Sequence, residues 1–320
     1  MRLRSRSQRS ALPMRISISS AYVQTGIRSA TTSAAGCRNS PDWTLHFLGC
    51  DRVEVTRAAL LGDPRWPNND AVDIDSSRDV AVSHIAISTG DDGVCLKSTA
   101  GYGPTRGVRV DDVDAESRSA AFKIGSVTEE DISDVVVRNF RVGADTNRAI
   151  GIQQRDAGAV TDILFENVSV AGTRRWPVTW WGAGELVYVS SVPRGPGVVP
   201  GPLRNVTVVG LSGRGANGLI VTGVRAAQRV REVTFVGVNV VVDPTLGNLS
   251  YPYLEDWRPC APPELAVVPP FGVWWDGAVD SWCVGCNVTV VEVAGHAPAC
   301  YALGDGASGC GADEASECHV

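Results

Sequence analysis

From residue 43 onward, pairs of apolar residues separated by one position recur at nearly constant spacing. The pairs are Val53/Val55, Val80/Val82, Val108/Val110, Val135/Val137, Ile163/Phe165, Val206/Val208 and Val233/Phe235, with steps of 27, 28, 27, 28, 43 and 27 residues between first members. A polar residue, usually Arg or Asp, stands just before most of them. A second alternating run precedes each pair: Leu45/Phe47, Val72/Ile74, Val94/Leu96, Phe122/Ile124, Ile150/Ile152 and, less cleanly, Leu219/Val221. Alternation with a period of two puts one set of side chains inside and the other out, which predicts strands. Self-similarity at a fixed period predicts a solenoid.

Leucine-rich repeats are shorter, propeller blades longer, and helical repeats would show a period near 3.6. Two or three short strands in about 27 residues predict one coil of a parallel β-helix, an all-β fold whose coils stack about 4.8 Å apart. The 43-residue step predicts an insertion, read as Trp176 to Gly182 and Pro193 to Pro202. Loops leaving a solenoid on one face often build its binding groove. After Val242 a Pro- and aromatic-rich excursion follows, and the pattern resumes at Phe271-Gly272-Val273-Trp274 and at Val288/Val290, 55 residues after Val233. The domain reading is a disordered or mis-started segment over 1–36, a parallel β-helix catalytic domain over 37–295 and a cysteine-rich cap over 296–320. A cap is physically required, since an open solenoid end exposes strand edges.

Composition narrows the partners. The 29 Lys+Arg against 35 Asp+Glu give a net charge of -6, which argues against nucleic acid as the partner. No run of apolar residues is long enough to predict a membrane span. Arg2, Arg4, Arg6 and Arg9 resemble a charged leader, but no apolar core follows, so no signal peptide is visible. Five of nine cysteines (Cys283, Cys286, Cys300, Cys310, Cys318) fall in the last 38 residues. Their irregular spacing favours disulfides in a secreted protein over a zinc site. Cys50 and Cys95 read as small buried hydrophobes. Asn-x-Ser/Thr sequons at Asn167, Asn205, Asn248 and Asn287 fit secretion, although three share a recurring Asn-Val-Ser/Thr-Val strand pattern.

The candidate chemistry lies in Asn68-Asn69-Asp70 and Gly90-Asp91-Asp92. Asp70 and Asp91 stand 21 residues apart, each motif abutting an apolar run. Two carboxyl sites brought together by a fold suit general acid/base hydrolysis, one group giving a proton while another activates water. Turn chemistry is the competing explanation of both motifs.

Repeat and aspartates together resemble glycoside hydrolase family 28, the polygalacturonase-like pectin hydrolases. The resemblance covers about residues 37 to 295 and is densest in Asn39-Ser40-Pro41-Asp42-Trp43-Thr44-Leu45-His46, Asn68-Asn69-Asp70, Gly90-Asp91-Asp92-Gly93-Val94-Cys95-Leu96-Lys97-Ser98 and Ile124-Gly125-Ser126. It implies a secreted right-handed parallel β-helix that hydrolyses with inversion and uses no metal or cofactor. It also implies that Asp91 is the general acid and that Asp70 and Asp92 hold the attacking water, with Asn68 at the substrate. The coils that precede the Trp43 region in the family are short or missing, as in a fragment or a faulty gene model.

Two departures matter. The family's Gly-His-Gly falls on Ser119-Ala120-Ala121, and its Arg-Ile-Lys, which grips the galacturonate carboxylate, falls on Gly151-Ile152-Gln153. Matching apolar positions puts Cys95, Lys123 and Gly151 in one outward column and Lys97, Gly125 and Gln153 in another. Lys123, helped by Lys97, is therefore a candidate replacement for the lost cations; alternatively both lysines only offset the carboxylates. Trp180 and Trp181 either stack on sugar rings or pack the insertion down. His46 and His84 read as packed or surface histidines.

The function expected is a secreted, monomeric, inverting glycosidase acting on a pectin-like cell-wall polysaccharide. The alternatives are a non-catalytic carbohydrate-binding β-helix, a family relative acting on another glycan, and a polysaccharide lyase.

Overall fold

The computed structural model describes residues 36–176, 182–195, 197–223, 230–246, 275 and 278–291 with their side chains, and further backbone strands before, between and after them. The two alternating runs of each repeat enter two different sheets. Ten strands form the narrower one: Tyr22–Thr25, Leu45–Leu48, Val72–Asp75, Val94–Ser98, Ala120–Thr128, Arg148–Gln154, Glu185–Ser191, Asn217–Gly223, Phe271–Asp276 and Ala299–Leu303. Each pairs in parallel with the strands a coil before and a coil after. The second sheet, of 16 strands, holds longer members such as Arg78–Thr89, Thr105–Ser117 and Val160–Val170.

The sequence repeat is the register of this second sheet. Val53 pairs with Val80, Val80 with Val108, Val108 with Val135, Val135 with Ile163, Ile163 with Val206, and Val206 with Val233. All of these side chains are buried, each contributing about 1.5–3 kcal/mol of hydrophobic stabilisation relative to exposure. The core is completed by edge-to-face rings, with Phe122 centred 6.1 Å from Phe140 and 5.2 Å from Phe165.

The polar residue before each pair is a coil corner. Arg52, Asp79, Gly107, Asp134, Asp162, Asn205 and Glu232 all have φ between 54° and 68°. A second corner column runs through Arg57, His84, Asp112, Asn139, Asn167, Gly210 and Gly237. Left-handed backbone is cheapest for Gly, Asn and Asp, which explains most of both columns. Corner side chains also bond from coil to coil. Nδ2 of Asn167 donates to Oδ1 of Asn139 at 2.6 Å, and that of Asn205 to Oδ1 of Asp162 at 2.7 Å. Asn287 likewise donates to Asn239 at 3.3 Å. Three sequon asparagines are thus rungs of side-chain ladders; Asn248 lies outside the described residues.

Three features depart from the hydrophobic pattern. Glu185–Ser191 is a strand of the narrow sheet, with Val187 opposite Ile150. Leu186, Val187, Tyr188 and Val189 are apolar without a break, so it lacks the alternation that revealed the other strands. Val288 pairs with Val240, whereas Phe235 faces Cys283; Val288/Val290 therefore does not continue the Val233/Phe235 row. Strands Met14–Arg15, Tyr22–Thr25 and Ala30–Ser33 extend both sheets ahead of the boundary read at residue 37.

Cys283 and Cys286 form a disulfide, while Cys37, Cys50 and Cys95 are buried thiols. The side chains of Cys300, Cys310 and Cys318 lie outside the described residues. Among the described residues no helix is long and apolar enough to cross a membrane.

Candidate active site

Asp70, Asp91 and Asp92 meet just ahead of two adjacent strands of the narrow sheet. Asn68-Asn69-Asp70 leads into Val72–Asp75, and Gly90-Asp91-Asp92 leads into Val94–Ser98, whose Val94 lies opposite Val72. The backbone N–H groups of Ala71 and Val72 donate to the carbonyls of Asp92 and Gly93 at 2.9 and 3.0 Å. Asn69 fastens the two motifs from below. Its Oδ1 accepts the N–H groups of Gly90 and Asp91 at 2.8 and 2.9 Å, and its Nδ2 donates to the Asp63 carbonyl at 2.9 Å. Position 90 has no room for a side chain, since a Cβ there would lie 2.1 Å from the carbonyl oxygen of Trp66. The Asn-Asn-Asp and Gly-Asp-Asp motifs are therefore turn chemistry and carboxylate placement at once.

The three aspartates line one cavity of about 500 Å³ together with Trp43, Asn68, Lys97, Lys123, Gln153, Arg155 and Arg194. Their environments differ. Asp91 is partly exposed, its Oδ2 accepting the Asn68 N–H at 2.9 Å and its Oδ1 the Asp92 N–H at 3.0 Å. Burial, and then the charge of Asp92, raise its proton affinity. Asp92 is buried, which alone would raise its pKa, but the Lys123 ammonium 2.8 Å from Oδ2 overcomes this and holds it below the usual carboxylate range. Ser119 Oγ and the Ala120 N–H complete the hold, donating to Asp92 Oδ1 at 2.7 and 3.2 Å. Asp70 is pushed well above the usual range by burial and by the neighbouring charge of Asp73.

Lys97 is the centre of this charge cluster. Its Nζ contacts Asp73 Oδ1, lies 3.6 Å from Asp70 Oδ2, and sits 4.3 Å from the centre of the Trp43 ring. Carboxylate oxygens of Asp70 and Asp92 and the Cys95 sulfur lie within 4.8 Å of one another, a spacing that could hold a cation. The Lys97 ammonium already stands there, 2.8 Å from the Cys95 sulfur.

Of the residues singled out in the sequence, Asp70, Asp91, Asp92, Asn68, Lys97, Lys123 and Gln153 all line the cavity. Trp180 and Trp181 lie outside the described residues. The column Cys95, Lys123, Gly151 is the observed register. The companion column breaks at its first step, because the register shifts between Leu96 and Ser98 and places Ser98 opposite Thr128. His46 stands 3.5 Å from Asp75 and His84 2.5 Å from Asp112, and neither lines the cavity.

Sequence reasoning missed Asp73, Ser119, Trp43, Arg155 and Arg194. Ser119 was visible as the residue occupying the lost Gly-His-Gly, and Trp43 as part of a quoted motif. Arg194 had the weaker signal of lying in the predicted insertion.

The sequence model of the glycosyl hydrolases family 28 matches residues 19–250. An endo-polygalacturonase of Pectobacterium carotovorum subsp. carotovorum is 24% identical over 208 residues, covering 65% of this chain and 49% of that protein. A polygalacturonase of Cryptomeria japonica is 25% identical over 142 residues, covering 41% of this chain and 26% of that protein. The chain thus spans about half, or less, of the length of these relatives. The crystal structure of a hyperthermoactive exopolygalacturonase from Thermotoga maritima superposes on 68% of this chain and 48% of its own, with a TM-score of 0.58 at 20% identity. That likeness establishes the right-handed parallel β-helix. With the family model spanning most of the coils and both aspartate motifs, the chain belongs to the glycosyl hydrolases family 28.

Proposed function

We propose that this protein is a secreted glycosidase that hydrolyses a pectin-like polysaccharide with inversion at the anomeric carbon, without metal or cofactor. The observation that carries the reading is the split between two consecutive carboxyls: burial raises the proton affinity of Asp91, while Lys123 and Ser119 hold that of Asp92 below the usual carboxylate range. Environments that push paired titratable groups apart assign the acid and the base.

In the proposed reaction Asp91 gives its proton to the glycosidic oxygen as the bond from that oxygen to the anomeric carbon breaks. A water attacks the same carbon from the opposite face and loses a proton to Asp92. Asp70, whose buried Oδ1 has no hydrogen-bond partner among the described residues, offers a second contact to that water. Proton return from Asp92 to Asp91 through solvent closes the cycle. Asn68, beside Asp91, and Trp43, half-buried at the cavity wall, are proposed to contact sugar.

The test is incubation of purified protein with homogalacturonan, rhamnogalacturonan and neutral glycans, following new reducing ends and the ultraviolet absorbance of unsaturated sugars. Reducing ends without absorbance support hydrolysis. Absorbance indicates a lyase, and retention on the polysaccharide with neither product indicates a binding module.

A further inference from the structure

Beside the three aspartates stands a fourth carboxylate that the proposed reaction does not use. Asp73 lies on strand Val72–Asp75 between the inward Val72 and Ile74, in register with His46 of the coil before and Cys95 of the coil after. Its side chain is wholly buried. Oδ1 contacts the Lys97 ammonium, and Oδ2 has no hydrogen-bond partner among the described residues. The ammonium is held on two further sides, by the Cys95 sulfur at 2.8 Å and by the Trp43 ring, whose centre is 4.3 Å away. Asp70 Oδ2 stands 3.6 Å from the same ammonium, beyond hydrogen-bond length. Asp70 Oδ1 also has no partner among the described residues. An approach of about 1 Å by Lys97 would turn the longer contact into a charge-assisted bond.

We propose that Asp73 is a positioning residue: it anchors the Lys97 ammonium and so keeps it from closing onto Asp70. This rests on the reading of Asp70 as a partner of the attacking water and names what leaves Asp70 open to it. The charged and titratable groups around the pair are His46 from the coil before, Asp91, Asp92 and Cys95 from the coil after, and Lys123 from the one beyond, paired with Asp92. Within this set Lys97 is not shared equally, since it lies against Asp73 and short of Asp70. Burial raises the proton affinity of both carboxyls. Asp70 goes further, because Lys97 compensates Asp73 more directly and the Asp73 charge adds to the penalty on Asp70. Were Lys97 to bond Asp70 instead, it would occupy one oxygen and draw the proton off the group.

The test reads the three side chains directly, so that it does not depend on turnover. NMR follows the carboxyl carbons of Asp70 and Asp73 and the Nζ of Lys97 against pH, in wild type and in Asp73→Asn, with Asp70→Asn to complete the assignment and thermal unfolding to check the fold. In wild type the Lys97 signal is expected to follow the titration of Asp73. In Asp73→Asn, which keeps the shape and removes the anchoring charge, it is expected to follow Asp70, and Asp70 is expected to titrate at least about one pH unit lower. On homogalacturonan kcat should fall at least about tenfold with KM near wild type, as for an interaction made in the transition state. A Lys97 signal that already follows Asp70 in wild type, or that ignores Asp70 in the variant, overturns the inference even if the protein hydrolyses glycans. The expected NMR response with kcat unchanged, or in a protein that hydrolyses nothing, upholds the anchor while overturning the role given to Asp70 or the hydrolase reading. Should Asp73→Asn fail to fold, the wild-type Lys97 signal decides.

Discussion

Lys123 places its ammonium 2.8 Å from Oδ2 of Asp92, one coil away in the same stack of strands. The sequence made Lys123 a candidate reader of an acidic sugar or a counter-charge to the carboxylates, and this distance favours the second, holding a buried carboxylate ionised. Lys123 also pulls down the pKa of Asp91, though less than burial and Asp92 push it up. Lys123→Met should therefore raise both carboxyl pKa values and move the whole pH–rate bell to higher pH. On the acid limb kcat/KM should fall at least about tenfold, the effect of a one-unit shift. Kinetics across pH on an acidic and a neutral oligosaccharide check this. A loss confined to the acidic substrate would return the reader's role to Lys123.

Asp91→Asn tests the acid. The amide keeps the shape that accepts the Asn68 N–H but has no proton to give. Turnover should fall by about 10² to 10⁴ while oligosaccharide affinity and thermal unfolding stay near wild type. Full activity in this variant would remove Asp91 from the mechanism.

What could be read in advance follows from which residues alternate. Val53 through Val233 face inward on every coil, so their spacing carried the register across the second sheet. The corner residues were legible as a polar position before each pair, though not as left-handed backbone. Glu185–Ser191 escaped because its apolar residues run unbroken from Leu186 to Val189, so no alternation marks it. The aspartates were legible because local motifs deliver them. Arg194 was not, since its approach to Ser126 spans 68 residues and depends on how an insertion folds back. The roles of Lys97 and Lys123 were legible only as a choice between two, and the ion pairs with Asp73 and Asp92 favour the charge-offsetting one.

The corner columns give a stability test away from the cavity. Asn139 has φ 50°, accepts from Asn167 at 2.6 Å and donates to Asp111 at 2.7 Å. Asn139→Ala keeps neither the ladder nor an easy left-handed conformation and should cost about 1–2 kcal/mol. Asn139→Gly loses the ladder but keeps the backbone and should cost less. Urea midpoints with unchanged slope measure both; equal losses would mean that the side-chain ladder, and not the backbone, sets the corner.

Asp70 carries the last prediction, a conflict between stability and function. Burial first, and then repulsion from Asp73, raise its folded-state pKa well above the usual value, with Lys97 offsetting only part. For a carboxyl raised in this way the folded state binds its proton more tightly than the unfolded chain does. Stability associated with Asp70 is therefore present while the group is protonated, and it declines as pH rises from the unfolded pKa toward the folded one. Above that window the folded protein carries a buried charge that the unfolded chain would hydrate. Asp70→Asn removes the titration while preserving shape, and Lys97 keeps Asp73 as its closer partner. The variant should be more stable than wild type by about 0.5–2 kcal/mol at neutral pH, and the gain should vanish in acid, where wild-type Asp70 is already protonated. Hydrolysis should fall sharply in the same protein, because the attacking water loses a partner. Denaturant unfolding at neutral and acidic pH, alongside the reducing-end assay, separates the outcomes. A variant less stable than wild type at neutral pH would mean that the pair with Lys97 outweighs the burial cost, so that Asp70 is ionised in the folded protein.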